Sequence, residues 1–126
     1  VVPSLDDAVM LLVNAIINKD KKMAMKIYSS LSNNTQDVMG IISLLSNTFV
    51  NLFNVATLAK DGFKQGEIAS ILGISNGHAY YLMNDIKKYN FKTLEENVLK
   101  LSKLDYQIKT GQINKELGFE FLLLSI

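Results

Sequence analysis

Apolar residues recur along this chain at three- and four-residue intervals, the period of a helix buried on one side. Leu5, Val9, Leu12, Val13 and Ile16 form a first stripe, with Ser4 and Asp7 spaced as a capping box ahead of it. Asp20 can cap a second helix whose inward face is Ala24, Ile27, Tyr28 and Leu31, with Lys21, Lys22 and Lys26 facing away. Asn33-Asn34-Thr35 reads as a turn, and Asn34 and Asp37 can start a third helix running to about Lys60. Its stripe is Val38, Ile41, Ile42, Leu45, Phe49, Leu52 and Ala56, while Leu44, Val55 and Leu58 lie off it. A helix apolar on more than one side is normally central. Asp61-Gly62 ends it.

Two shorter helices follow, one over Glu67 to Leu72 closed by Gly73, the other from Asn76 to Tyr89 with Ala79, Leu82, Met83 and Ile86 inward. Thr93 and Glu96 are spaced as a capping box for a helix that ends at Gly111, and Asn114 can cap a last one. No stretch alternates polar and apolar residues long enough to require a strand. The pattern predicts an all-α fold, a compact bundle of about six or seven helices joined by short loops.

The last helix carries apolar residues on two sides. Ile113, Leu117, Phe121 and Leu124 share one spacing; Phe119, Leu122, Leu123 and Ile126 share another. A terminal helix needs only one face inward. The expectation is that Phe121 and Leu124 join the core. Phe119, Leu122, Leu123 and Ile126 then stay at least partly exposed as a subunit-contact surface.

Leu104-Asp105-Tyr106-Gln107-Ile108-Lys109-Thr110-Gly111 is a helix end and its stop. Leu101, Leu104 and Ile108 share a face, and Asp105 and Lys109 stand four apart with the acid first. Lys109 suits the negative end of the helix dipole, and Gly111 supplies a left-handed residue. This wording, with Leu104, Asp105, Ile108, Lys109, Thr110 and Gly111 in register, resembles the end of the delta subunit of bacterial DNA polymerase III, a clamp-loader component. Two earlier blocks, Ala15 to Tyr28 and Gly62 to Ile74, resemble the same family in order and spacing. The resemblance spans nearly the whole chain. It implies a C-terminal helical collar domain covering residues 1–126, with the N-terminal domains of the parent protein absent. It implies partners among the other loader subunits, the collar domains of the delta-prime and gamma/tau subunits. It also implies a parent within the DNA-directed DNA polymerase holoenzyme, a nucleotidyltransferase, although delta is not the ATP-hydrolysing member.

The segment from Glu67 to Leu82 supports a rival reading. Ala69, Gly73, Ala79 and Leu82 match helix-turn-helix spacing, with a small residue where helices touch and a glycine at the turn. A reading helix would present Ser75, Asn76, Gly77, His78 and Tyr80, with Lys87 and Lys88 at its far end. Asn76 can pair with adenine. Where the delta family tends to place lysines in this helix, Tyr80 and Tyr81 stand instead. The packed corner of a larger bundle explains the same spacing.

Composition narrows the chemistry. The 126 residues carry a net charge of +1, and all 13 cations are lysines. Arginine, the usual bidentate reader of guanine and finger of phosphoryl transfer, is missing. Contact with DNA is therefore expected to be weak or indirect. Lysine in place of arginine, with many asparagines and isoleucines, hints at a bacterium with an AT-rich genome. With no cysteine and only His78, neither a thiolate metal site nor a nucleophile–base pair is expected. No Gly-x-x-x-x-Gly-Lys phosphate loop occurs. The reading is of a non-catalytic fragment without cofactor or metal. Val1-Val2-Pro3 in place of an initial methionine suggests a domain boundary. No signal peptide is visible, and Ser43, Ser46, Asn47, Asn51 and Asn54 interrupt the longest apolar run, so a cytoplasmic protein without a membrane span is expected.

Overall fold

The computed structural model describes residues 5–32 and 38–126. These form seven helices and no strand: α1 (Leu5–Ile17), α2 (Lys21–Ser32), α3 (Val38–Lys60), α4 (Gln65–Leu72), α5 (Asn76–Ile86), α6 (Phe91–Lys109) and α7 (Lys115–Ser125). The all-α expectation holds. Ser4 of the first capping box, the Asn33-Asn34-Thr35 turn and the Asn34/Asp37 start lie outside the described residues.

Four helix stops use one device. After α1, Lys19 donates its N–H to the Ile16 carbonyl and Asp20 to that of Ala15. This crossed pair is a Schellman motif, which needs a left-handed residue at its centre. Lys19 takes that conformation at φ +61°, despite its side chain. Gly62, Gly73 and Gly111 do the same work after α3, α4 and α6, at φ +93°, +69° and +75°. Starts follow simple chemistry too. Asp20 Oδ1 accepts from the Met23 N–H at 3.1 Å, and Asn114 Oδ1 from that of Leu117 at 3.0 Å, as the sequence predicts. The start of α6 differs. Asn90 Oδ1 accepts from the Thr93 N–H at 2.7 Å, so the helix begins three residues before the Thr93/Glu96 box. An asparagine upstream offers the same cap, and Phe91 extends the buried side: its ring lies 5.0 Å from that of Phe53.

The helices gather into two compact units. The first draws on the chain up to Ser46 and on Lys100–Ile126. There α1 packs on α2, and α2 on α7. Leu12, Val13, Ile16, Ala24, Tyr28, Leu31, Leu101, Leu104, Phe119, Leu122 and Leu123 are all buried. Each large side chain among them contributes about 1.5–3 kcal/mol of transfer free energy. The second unit, Asn47–Leu99, holds most of α3, then α4 packed on α5, and the first half of α6. Phe49, Leu52, Val55, Ile68, Ala79 and Leu94 are among its buried residues, and Tyr89 meets Phe49 edge-on at 5.8 Å.

By length and apolarity α3 would pass as a membrane-crossing helix, with mean hydropathy 1.5. Its Leu45, Phe49, Leu52 and Val55 are instead fully enclosed by protein, as in a core helix. Val55, off the stripe in the sequence reading, is as deeply buried as Leu52.

Candidate subunit-contact surface

The burial of α7 reverses the expectation. Phe119 is 0% exposed, Leu122 5% and Leu123 4%, whereas Phe121 is 57% and Leu124 63% exposed. Leu117 is exposed as well, and Ile126 is half-buried. The proposed contact residues Phe119, Leu122 and Leu123 are therefore core, and the proposed core residues Phe121 and Leu124 face solvent.

The reason lies at Gly118, which the sequence reading passed over. A Cβ there would sit 2.7 Å from Leu104 Cδ1 and 3.4 Å from Ile113 Cδ1. Lacking one, α7 approaches α6 on the Gly118 side, which turns Phe119 and Leu122 inward. Phe119 then meets the Tyr28 ring of α2 at 5.0 Å. Two signals were present. Glycine inside a helix costs about 1 kcal/mol against alanine, so it tends to mark a close approach. Glu120 also falls on the Leu117/Phe121/Leu124 side, where a charge belongs in water.

Lysines hold the end of α7. Lys21 Nζ donates to the Leu124 carbonyl at 3.1 Å, and Lys100 Nζ to that of Ser125 at 2.9 Å. Both satisfy carbonyls that a helix end leaves open, at the negative pole of its dipole. Lys21, expected to face away, is exposed yet used. An open groove of about 340 Å³ runs between α6 and α7 beside Phe121. Lys100, Lys103, Gln107, Ile113 and Ser125 line it with Phe121. Glu116 and Glu120, one turn apart on the same helix, stand near enough to Tyr28 of α2 to act on it electrostatically. Burial raises the Tyr28 phenol above its ordinary value, and those two carboxylates raise it further.

The motif ahead of α7 builds the corner that aims it. Leu104 is buried, Ile108 half-buried, and Asp105 Oδ2 pairs with Lys109 Nζ at 3.0 Å on the surface. The Thr110 hydroxyl donates to the Tyr106 carbonyl at 2.8 Å, and Gln112 Nε2 donates to Thr110 Oγ1 at 3.0 Å. Gly111 then ends α6. These six residues are brought together at the end of α6 and the turn that follows it.

The rival DNA-contact set divides. Ser75 is the cap of α5, its Oγ accepting the His78 N–H at 3.0 Å. Lys88 pairs with Asp85 at 3.1 Å. Asn76, His78 and Lys87 are exposed, as are Tyr80 and Tyr81, whose rings meet edge-on at 5.7 Å. Among the described residues, no three His, Asp or Glu side chains gather as metal ligands would.

Residues 6–126 match the model of the family described as DNA polymerase III delta subunit, C-terminal domain, and the chain belongs to that family. It is 27% identical over 123 residues to DNA polymerase III subunit delta of Bacillus subtilis (strain 168), covering 98% of this chain and 35% of that protein. Its fold is similar to the solved Bacillus subtilis DNA clamp loader delta protein (YqeN). The TM-score is 0.84 at 27% identity, over 99% of this chain and 37% of that one. The chain thus spans little more than a third of the length of these relatives.

Proposed function

We propose that residues 1–126 work as a collar domain, an oligomerisation module that holds the delta subunit among the other subunits of a clamp loader. The partners are the equivalent domains of the delta-prime and gamma/tau subunits. The parent protein would then serve, in the cytoplasm, the loading of a sliding clamp on DNA by the polymerase III holoenzyme. Chemistry is left to other subunits. The observation that carries the reading is the exposed apolar row Leu117, Phe121 and Leu124 on a helix whose opposite face is already buried. An apolar row of this kind on a folded domain marks a partner surface. Neighbours in such an assembly meet through unlike surfaces, so one row can serve one neighbour.

The test is to mix the chain with the other loader subunits from the same source and pass the mixture through gel filtration. Co-elution as one complex is expected. Separate elution at micromolar concentrations contradicts the assignment. DNA contact is expected to be weak, without sequence preference and lost as salt rises. Sequence-selective, submicromolar binding to duplex DNA at physiological salt would instead favour a reading helix at α5.

A further inference from the structure

The exposed row of α7 has edges of opposite charge. On the α6 side the groove is lined by Lys100 and Lys103, and no carboxylate lines it. On the α2 side stand Glu116 and Glu120, close enough to Tyr28 to raise its phenol, with Lys21 of α2 closing the far end at the Leu124 carbonyl. Leu117, Phe121 and Leu124 run between these edges, and Phe121 borders the groove. This is the layout of a helix that pairs with another helix: an apolar seam with charges at its flanks that choose partner and direction.

Resting on the collar reading, we infer that the α6–α7 groove takes one amphipathic helix from a neighbouring loader subunit, a helix with carboxylates along one flank and lysines or arginines along the other. Its acidic flank lies over Lys100 and Lys103, and its basic flank over Glu116 and Glu120. Its apolar stripe covers Phe121 and Leu124. A reversed helix would set like charges together, so the groove fixes the direction of its partner as well as its chemistry.

Affinity of the chain for each purified loader subunit, measured by isothermal titration at low and at physiological salt, tests this. Two variants report on the groove: Lys103→Glu for the charged edge and Phe121→Ser for the seam. Lys87→Glu, at the cap that follows α5, is the control. Thermal melts establish that each variant is folded. Both groove variants should weaken binding to one subunit about tenfold or more, and the Lys103→Glu loss should shrink as salt rises. The control should stay within about twofold. If the wild-type chain binds a subunit and neither variant changes the affinity, the groove assignment is overturned while the collar reading stands. Should the wild-type chain bind none of the subunits, the collar reading fails and takes the groove assignment with it. A dimer of the chain alone that Phe121→Ser dissolves would give the groove to a second copy, and that also overturns the inference.

Discussion

Helices α6 and α7 meet at Gly118, yet they record their surroundings in the sequence very differently. From Lys100 onwards α6 carries one apolar line, Leu101, Leu104 and Ile108, set among Lys, Ser, Asp, Tyr and Gln. Only one rotation turns that line inward, and the structure adopts it, with Leu101 and Leu104 buried and Ile108 half-buried. In α7 apolar residues occur all round, so several rotations bury a similar area. Hydrophobic matter alone leaves the choice nearly degenerate. A steric term, the missing Cβ of Gly118 against Leu104, breaks the tie. The lesson is that pattern fixes a helix whose polar residues exclude the alternatives. Where they do not, the smallest side chain matters more than the largest.

Four measurements put this contrast to the test. The largest effect is expected for Phe119→Ala, which empties the space beside Tyr28 and should cost about 3–5 kcal/mol in urea unfolding. A cost below about 1 kcal/mol would mean that α7 has rotated and that its two faces are interchangeable. Next, Gly118→Val forces a branched side chain against Leu104 and should cost about 1–3 kcal/mol. An unchanged midpoint would remove the steric explanation for the rotation.

The third measurement uses alkaline pH. Burial first, then Glu120 and Glu116, raise the Tyr28 phenol in the folded chain; burial, then Asp85, raise that of Tyr89 to about 12. The folded state therefore holds these protons more tightly than the unfolded one. The stability this represents is complete below the ordinary tyrosine value of 10.0 and is lost as pH climbs towards the folded values. The melting temperature should fall from about pH 10 upwards. The same slope in a Tyr28→Phe, Tyr89→Phe variant would refute the link. The smallest effect belongs to the solvent side. Phe121→Ser and Leu124→Ser should each change stability by no more than about 0.5 kcal/mol. Losses resembling that of Phe119→Ala would show the exposed row to be core after all.

Much of the architecture is legible in the sequence. The caps at Asp20 and Asn114 were readable because a short polar side chain before an apolar stripe has little else to do. The stops at Gly62, Gly73 and Gly111 were readable because a positive φ favours glycine. Lys19 shows the limit: it takes the same conformation without a glycine to announce it. Thr93 shows another, since two plausible caps three residues apart cannot be ranked without knowing that Phe91 stacks near Phe53. Asn97, buried at 2% exposure with its amide nitrogen unpaired, was invisible because an asparagine in a helix reads as surface. The contact residues on α7 were misplaced for the reason given above. The family motif from Leu104 to Gly111 was found by its wording, and its residues form the end of α6 and the turn that leads into α7.

Ammonium groups at both sides of the last turn of α7 alter how that turn behaves in time. A helix end ordinarily frays on a fast timescale, because its final carbonyls lose little by turning to water. Here unwinding must also release Lys21 from Leu124 and Lys100 from Ser125, two bonds with charged donors that come from separate helices. The Ile126 amide, bonded to the Leu122 carbonyl, should exchange with deuterium more slowly than a fraying end allows. Acetylating those lysines would hasten the exchange. The row that Phe121 and Leu124 present is thereby held in shape before any partner arrives, which lowers the ordering cost of an encounter.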